Sequence, residues 1–500
     1  MKKANPLKVE EIKQILNHDR SIKNDIEALL NYLPACEYEL ILFMTSQKVW
    51  QGAKPPPPKG FKPGEGNPEL GVYLYWLHNP ELLHPEKLSK KEQEIFWSII
   101  VALDLLLPNT QMTAVNYNFF SANELIYTDG MVLSTTVKYA SFDQGWGIAF
   151  FNLIQTVLYD LWYSGDNFPP TTNSPVITLK GAAPNKVNIA ILGDWGTGQP
   201  AARAVMNQLT AIPGLTPDYI IHVGDVYYSG SPLATDKTGS HYFSPGEENN
   251  NLLELWPSAY SGRSFTLNSN HEMYCGANGF YYDALGWSGG PPFSKTPFKS
   301  QKGSGCFALQ YGGWTLLGLD SAYMSSITNA FMNGSIGGAN GVQGKWIQQL
   351  GLDRKKTIVL THHNGISAAS SAIMPLWTEI KGALNGDPYA WYWGHVHNAI
   401  VYSYPVTILP DAKLPVITLN TYARCLGHAA IPYGPSSALD HRPIAWREAS
   451  LQPPPSKQLY NGFAILTLTL DGNGQVATIT ENFFDPKKMT PVWTKEIFRA

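Results

Sequence analysis

Asp218-Tyr219-Ile220-Ile221-His222-Val223-Gly224-Asp225-Val226-Tyr227-Tyr228 is the stretch on which the fold turns. An apolar run rich in β-branched residues stops abruptly at Gly224-Asp225, the pattern of a buried parallel strand that delivers a carboxylate to the mouth of a sheet. In open α/β sheets, ligands bind at those carboxyl ends. Four more stretches end in the same way: Ile189 to Gly196 around Asp194, Phe265 to Glu272 around Asn270-His271, Ile358 to His363, and Trp391 to His397. Five strand ends thus carry Asp, Asp plus Tyr, Asn plus His, His plus His, and His-x-His. A lone Gly-Asp after a strand is ordinarily a turn; five such ends in series are not ordinary.

The residue types share one chemistry. Two metal ions about 3.5 to 4 Å apart can clamp the attacking and leaving oxygens of a phosphoryl displacement and generate hydroxide near neutral pH. Cations that close need a shared anion, and Asp225 is the candidate. The motifs GDxG, GDxxY, NHE, a strand-terminal His and GHxH, in that order, resemble the calcineurin-like metallophosphoesterases. The Asp-Trp-Gly and Asp-x-x-Tyr variants look most like purple acid phosphatases.

The resemblance implies a four-layer α/β/β/α sandwich and hydrolysis of phosphate esters by a metal-bound hydroxide. It implies Asp194, Tyr228 and His397 on one metal, Asn270, His362 and His395 on the other, and Asp225 bridging both. A phenolate such as Tyr228 suits ferric iron, and no cysteine sits at a motif position, so the expected pair is Fe(III) with Fe(II), Zn(II) or Mn(II). His271 would stabilise the phosphoryl oxygens or protonate the leaving alkoxide, and Glu272 would orient it. Two departures stand out: Ser269 precedes Asn-His where relatives have Gly, and His363-Asn364-Gly365 lacks a proline many relatives show. A nucleotide or cyclic-nucleotide phosphodiesterase is the nearest alternative activity, and a non-catalytic metal-binding interaction protein the alternative of another class. Gly196 to Ala201 also fits the GxGxxA dinucleotide fingerprint, but Asp218 opens the next strand instead of closing it, and that reading leaves the histidines unexplained.

Length and composition frame the rest. The 500 residues suggest two to three domains, 44% apolar content is ample for large cores, and a net charge of −3 makes nucleic acid an unexpected partner. Met1 to Lys8 is basic with no apolar segment behind it, and Ile99 to Leu103 falls well short of the roughly 18 residues of a membrane span. Four cysteines (Cys36, Cys275, Cys306, Cys425) form no disulfide framework, so a cytoplasmic protein with no membrane span is expected, and the resemblance implies a small phosphate-ester substrate.

Residues 1–165 read as a mainly α-helical region of unreadable role, 166–186 as linker and edge strand, and 187–500 as the catalytic domain. Ser89-Lys90-Lys91-Glu92 is a capping-box pattern before one apolar helical face, and Phe150, Leu153, Ile154, Val157, Leu158, Leu161 and Trp162 form a second. Ser164 to Pro175 is the linker, and Val176 to Leu179 an edge strand. Helices are expected over Ala201 to Leu209, Leu252 to Tyr260, Gln343 to Leu350 and Ala372 to Leu384. Hairpins are expected at Gly312-Gly313 and around Asp471 to Gly474. Ser229 to Asn250, with His241, reads equally as a functional loop or a surface excursion. Arg424 either binds phosphate bidentately or makes a structural salt bridge, and His428, His363 and Asn364 complete the candidate substrate contacts.

Overall fold

Alternation along Lys186–Leu192 sets the layering: Val187, Ile189 and Ile191 enter one apolar core, Ala190 and Leu192 another. Such a strand is buried on both faces and belongs inside a sheet that is itself covered on both sides. The computed structural model describes residues 14, 20–46, 50, 54–106, 126–128, 131–133, 138–163, 168, 174–233, 242–290, 293–410, 415–453, 456 and 458–500. His241, Met1 to Lys8, most of the 164–175 linker and the side chains of Leu161 and Trp162 lie outside that description.

In chain order the first strands are β1 (Ile126–Thr128), β2 (Met131–Leu133), β3 (Val176–Thr178), β4 (Lys186–Leu192), β5 (Tyr219–His222) and β6 (Ser264–Thr266). Next come β7 (Phe307–Tyr311), β8 (Trp314–Gly318), β9 (Thr357–Thr361), β10 (Ala390–Trp393), β11 (Ala399–Tyr402) and β12 (Val406–Ile408). The last are β13 (Ile417–Leu419), β14 (Tyr422–Leu426), β15 (Ile444–Arg447), β16 (Phe463–Leu470), β17 (Val476–Phe484) and β18 (Trp493–Arg499).

A six-stranded sheet runs β18-β17-β16-β4-β5-β6 and an eight-stranded sheet runs β15-β11-β14-β10-β9-β8-β7-β3. Both are mixed: the parallel run β4-β5-β6 forms one end of the smaller sheet and β8-β9-β10-β14 the centre of the larger, each with antiparallel neighbours. Ile189, Ile221, Leu309, Leu316, Ile358 and Leu466 fill the space between the sheets. Helices Val342–Gln349 and Pro375–Ala383 cover the outer face of the larger sheet, through Ile347, Leu376 and Ile380 on Val359, Trp391 and Trp393. Helix Pro200–Leu209 covers the outer face of the smaller, which completes the expected four layers, α/β/β/α.

Both hairpins form, β7-β8 around Gly312-Gly313 and β16-β17 around Asp471 to Gly474, and β3 takes the edge beside β7. Helices 200–209, 342–349 and 375–383 fall close to the expected spans, whereas Leu252 to Tyr260 is a correction. That segment is two short 3-10 turns, Leu253–Leu255 and Ser258–Tyr260, because Pro257 offers no N–H and holds Trp256 extended at ψ 134°.

The N-terminal region is helical at Arg20–Ser46, Gly71–His78, Lys90–Leu106 and Gln144–Tyr163. Its capping box is built: Ser89 N–H donates to Glu92 Oε2 at 2.8 Å, and Glu92 N–H to Ser89 Oγ at 3.3 Å. Phe150, Leu153 and Ile154 share one core with Tyr274, Phe280 and Phe243 of the sandwich. Polar pairs cross the same seam, Asn152 Nδ2 donating to the Phe243 carbonyl at 3.1 Å and Thr156 Oγ1 to that of Tyr274 at 2.8 Å. No helix among the described residues is long and apolar enough to cross a membrane.

Candidate metal centre

Three of the five strands that end at the cluster are followed by a turn that ordinary side chains avoid. Asp194, Asp225 and His395 all take positive φ, at 59°, 79° and 65°. Left-handed backbone at three non-glycine residues in one site is strain that the surrounding structure must hold in place. The glycines beside them allow the close approach: a Cβ on Gly394 would sit 2.5 Å from Asp194 Oδ2, and one on Gly224 2.8 Å from His362 Nδ1. Ser269 at φ −139° is ordinary extended backbone, so its Cβ is tolerated, and its Oγ caps the next turn by accepting from His271 N–H at 3.1 Å.

The turns bring six of the expected side chains together. His362 Nε2 lies 2.8 Å from Asn270 Oδ1 and 3.2 Å from Asp225 Oδ1, and His395 Nδ1 lies 3.2 Å from Asn270 Oδ1. On the other side, His397 Nε2 is 3.3 Å from Asp194 Oδ1. His271 sits adjacent, with Nε2 3.9 Å from Asp225 Oδ2. Asp194, Asp225 and His362 are close enough to share one ion.

This donor set fits a cation. His362 Nδ1 must donate to the Val223 carbonyl, 3.0 Å away, so neutral His362 turns an Nε2 lone pair toward two oxygens. Acceptor facing acceptor is repulsive without a positive charge between them. Asp225 Oδ1 makes no hydrogen bond although the residue is only 1% exposed. Burial, and then the charge of Asp225, pushes Asp194 upward. Burial also disfavours the Asp225 charge, but His362 and His271 outweigh it and hold that carboxyl well below its usual range. Burial takes His362 down to about 3, whereas for His397 the hydrogen bond and charge of Asp194 overcome burial and carry it to about 9. Oxygen and imidazole donors suit iron, zinc or manganese, and the four cysteines are free and buried.

Four expectations are corrected. Tyr228 does not face the cluster: its hydroxyl bonds the Asp143 carboxylate in the N-terminal region. The phenol at the cluster is Tyr227, whose Oη donates to Asp225 Oδ2 at 2.7 Å and lies 3.1 Å from Asp194 Oδ1 and 3.0 Å from His397 Nε2. Val226 bridges Gly196 and Tyr227 N–H donates to the Gly196 carbonyl, and the chain then turns over Tyr227 to Ser229, with Gly230 N–H on the Val226 carbonyl, so that the two phenols leave the turn toward different neighbours.

Arg424 is no substrate contact. At 1% exposure it lies between the sheets, where Nε donates to Glu481 Oε2 at 2.9 Å, and Tyr392 Oη donates to the same oxygen at 2.7 Å. A charge in the inter-sheet core needs a counter-charge, and β17 supplies it. Glu272 does not orient His271, since its carboxylate accepts from Ser269 Oγ; His271 Nδ1–H donates to the Tyr228 carbonyl instead, at 2.7 Å. His428 is buried with its ring 6.1 Å from that of Tyr433 and its Nε2 packed against Gly462, so it serves the core.

His363 joins His362 and His395 in a close trio, yet both its nitrogens are engaged, with Ser321 Oγ at 2.9 Å and the Phe331 carbonyl at 2.8 Å. Asn364 spends its amide on the Ile366 carbonyl within its own turn. Tyr227 was missed because the motif spacing pointed one residue further. Only the Tyr-Tyr pair itself hinted that either phenol was in reach.

No curated protein matches the chain. Among solved structures it is similar to one described as GAP50, the anchor in the inner membrane complex of Plasmodium, at 13% identity and TM-score 0.42, over 63% of this chain and 90% of that one. Residues 187–399 match the family model of the calcineurin-like phosphoesterases, a span that begins in β4, ends at the start of β11 and contains every converging residue described above. Residues 187–399 are thus similar throughout to the calcineurin-like phosphoesterase domain.

Proposed function

We propose that the protein hydrolyses phosphate esters with a binuclear centre of the purple acid phosphatase type. The observation that carries this reading is the convergence of Asp194, Asp225, Asn270, His362, His395 and His397 beside His271. Asp194 and His397, with the Tyr227 hydroxyl in the place expected of Tyr228, would hold one metal; Asn270, His362 and His395 would hold the other, with Asp225 common to both. Iron(III) with Fe(II), Zn(II) or Mn(II) is the proposed pair, since a phenolate is a hard donor. Bound there, such ions supply Lewis acidity and an activated water near neutral pH.

The protein's own groups do the rest. His271 holds a proton at Nε2 and gives it to the leaving oxygen as the phosphorus–oxygen bond breaks, a contribution of about 10² to 10⁴ in rate. Water adds to phosphorus and its released proton restores the imidazolium, so the products are the alcohol and phosphate. Tyr227, Tyr274 and Trp146 surround the His271 ring and limit water around it.

Metal analysis of protein purified without chelator, followed by a panel of monoester and diester substrates, tests the reading. Two metals per chain with about one iron, and turnover of an ester, are expected. Two metals without iron would remove the ferric role of Tyr227. Only trace metal after reconstitution would overturn the proposal in favour of a non-catalytic protein.

A further inference from the structure

The N-terminal region reaches the metal centre through the start of the Gln144–Tyr163 helix and the turn before it. Asp143 Oδ2 accepts from Tyr139 N–H at 2.7 Å and from the Tyr228 hydroxyl. A Cβ on Gly145 would meet the Tyr228 ring at 2.2 Å, so glycine is what permits the contact. Tyr228 in turn offers its carbonyl to His271 Nδ1, which leaves Nε2 to face the cluster. Trp146 closes the other side, its ring centroid 5.3 Å from that of His271 and 5.0 Å from that of Tyr228, while its Nε1 donates to the Ala140 carbonyl at 2.8 Å. Tyr139 Oη donates to the Thr197 carbonyl at 2.5 Å and so pins the loop that follows Asp194.

We infer that the N-terminal region completes the catalytic centre, with Asp143 and Trp146 as positioning residues that fix the imidazole of His271 through Tyr228 and by ring packing. This rests on the proposed ester hydrolysis. A carboxylate that anchors one tyrosine has structural value anywhere, but here the anchored residue is the one whose carbonyl orients the proton donor. An error of about 1 Å in such a group costs on the order of 10² in rate. The loss should fall on substrates whose leaving oxygen needs a proton.

The test uses the full metal-loaded chain with two monoesters, ethyl phosphate and para-nitrophenyl phosphate. Asp143→Ala should lower kcat on ethyl phosphate by about 10- to 100-fold and on the nitrophenyl ester far less, with KM and metal content unchanged. Asp143→Asn should restore most of it, because the Tyr139 and Tyr228 bonds fall on one oxygen that an amide carbonyl can replace, and only the longer 3.3 Å bond from Gly145 N–H to the other oxygen is lost. Tyr228→Phe, which removes only the hydroxyl, should repeat the Asp143→Ala pattern and stands in for it if that variant does not fold. Equal losses on the two esters, or loss of metal, would overturn the inference.

A second readout is independent of turnover: the imidazole signals of His271 in histidine-labelled protein, assigned by their absence in His271→Ala. They should move in Asp143→Ala and Trp146→Leu and return in Asp143→Asn; signals that stay put overturn the inference. If the wild-type chain hydrolyses neither ester, the proposed function fails and these signals alone decide the positioning.

Discussion

The two sides of the metal centre are built differently. The sandwich side is made of strand ends, each a short motif whose residues are neighbours in sequence and whose side chains meet because parallel strands stop together. The N-terminal side is made of Tyr139, Asp143 and Trp146, which carry no motif and reach residues from 58 positions away, at Thr197, to about 125 away, at His271. Chemistry can be concentrated in local patterns, but the walls that orient it are assembled from whatever surface packs against them.

Substitutions on the two sides should separate these roles. Asp225→Asn removes the shared anion; at least one metal should be lost and activity should fall by about 10³-fold or more, measured by metal content and rate. Retention of both metals and full rate would break the assignment. His271→Ala should cost about 10² to 10⁴ in rate with metals retained, since it lies beside the cluster. Loss of metal in that variant would make His271 a ligand.

Arg424→Ala tests the correction drawn above. It leaves Glu481 buried without its partner and should cost about 3 to 5 kcal/mol in stability, read by denaturant melts, while the surviving folded protein keeps its kcat and KM. A selective rise in KM would return Arg424 to the substrate. Smallest of all, Ser89→Ala at the exposed start of the Lys90–Leu106 helix should cost about 1 kcal/mol in stability and leave the centre untouched. A rate change there would mean that the N-terminal region communicates with the site beyond the turn at Asp143.

The amino-acid sequence was enough to place the strands that lead into the site, both hairpins, the capping box and the five strand ends that converge, because these depend on patterns within a few residues. Apolar alternation, glycine turns and hydrogen-bonding side chains at a fixed offset are local physics. Which of Tyr227 and Tyr228 faces the cluster was decided by the tight turn that follows the positive-φ Asp225, which motif spacing does not encode. The partner of Arg424 lies 57 residues away on the opposite sheet, and that of Tyr228 85 residues away in the N-terminal region. Such pairings exist only once the layers have packed, since a buried charge or phenol takes the partner that folding brings to it and not the one nearest in the chain.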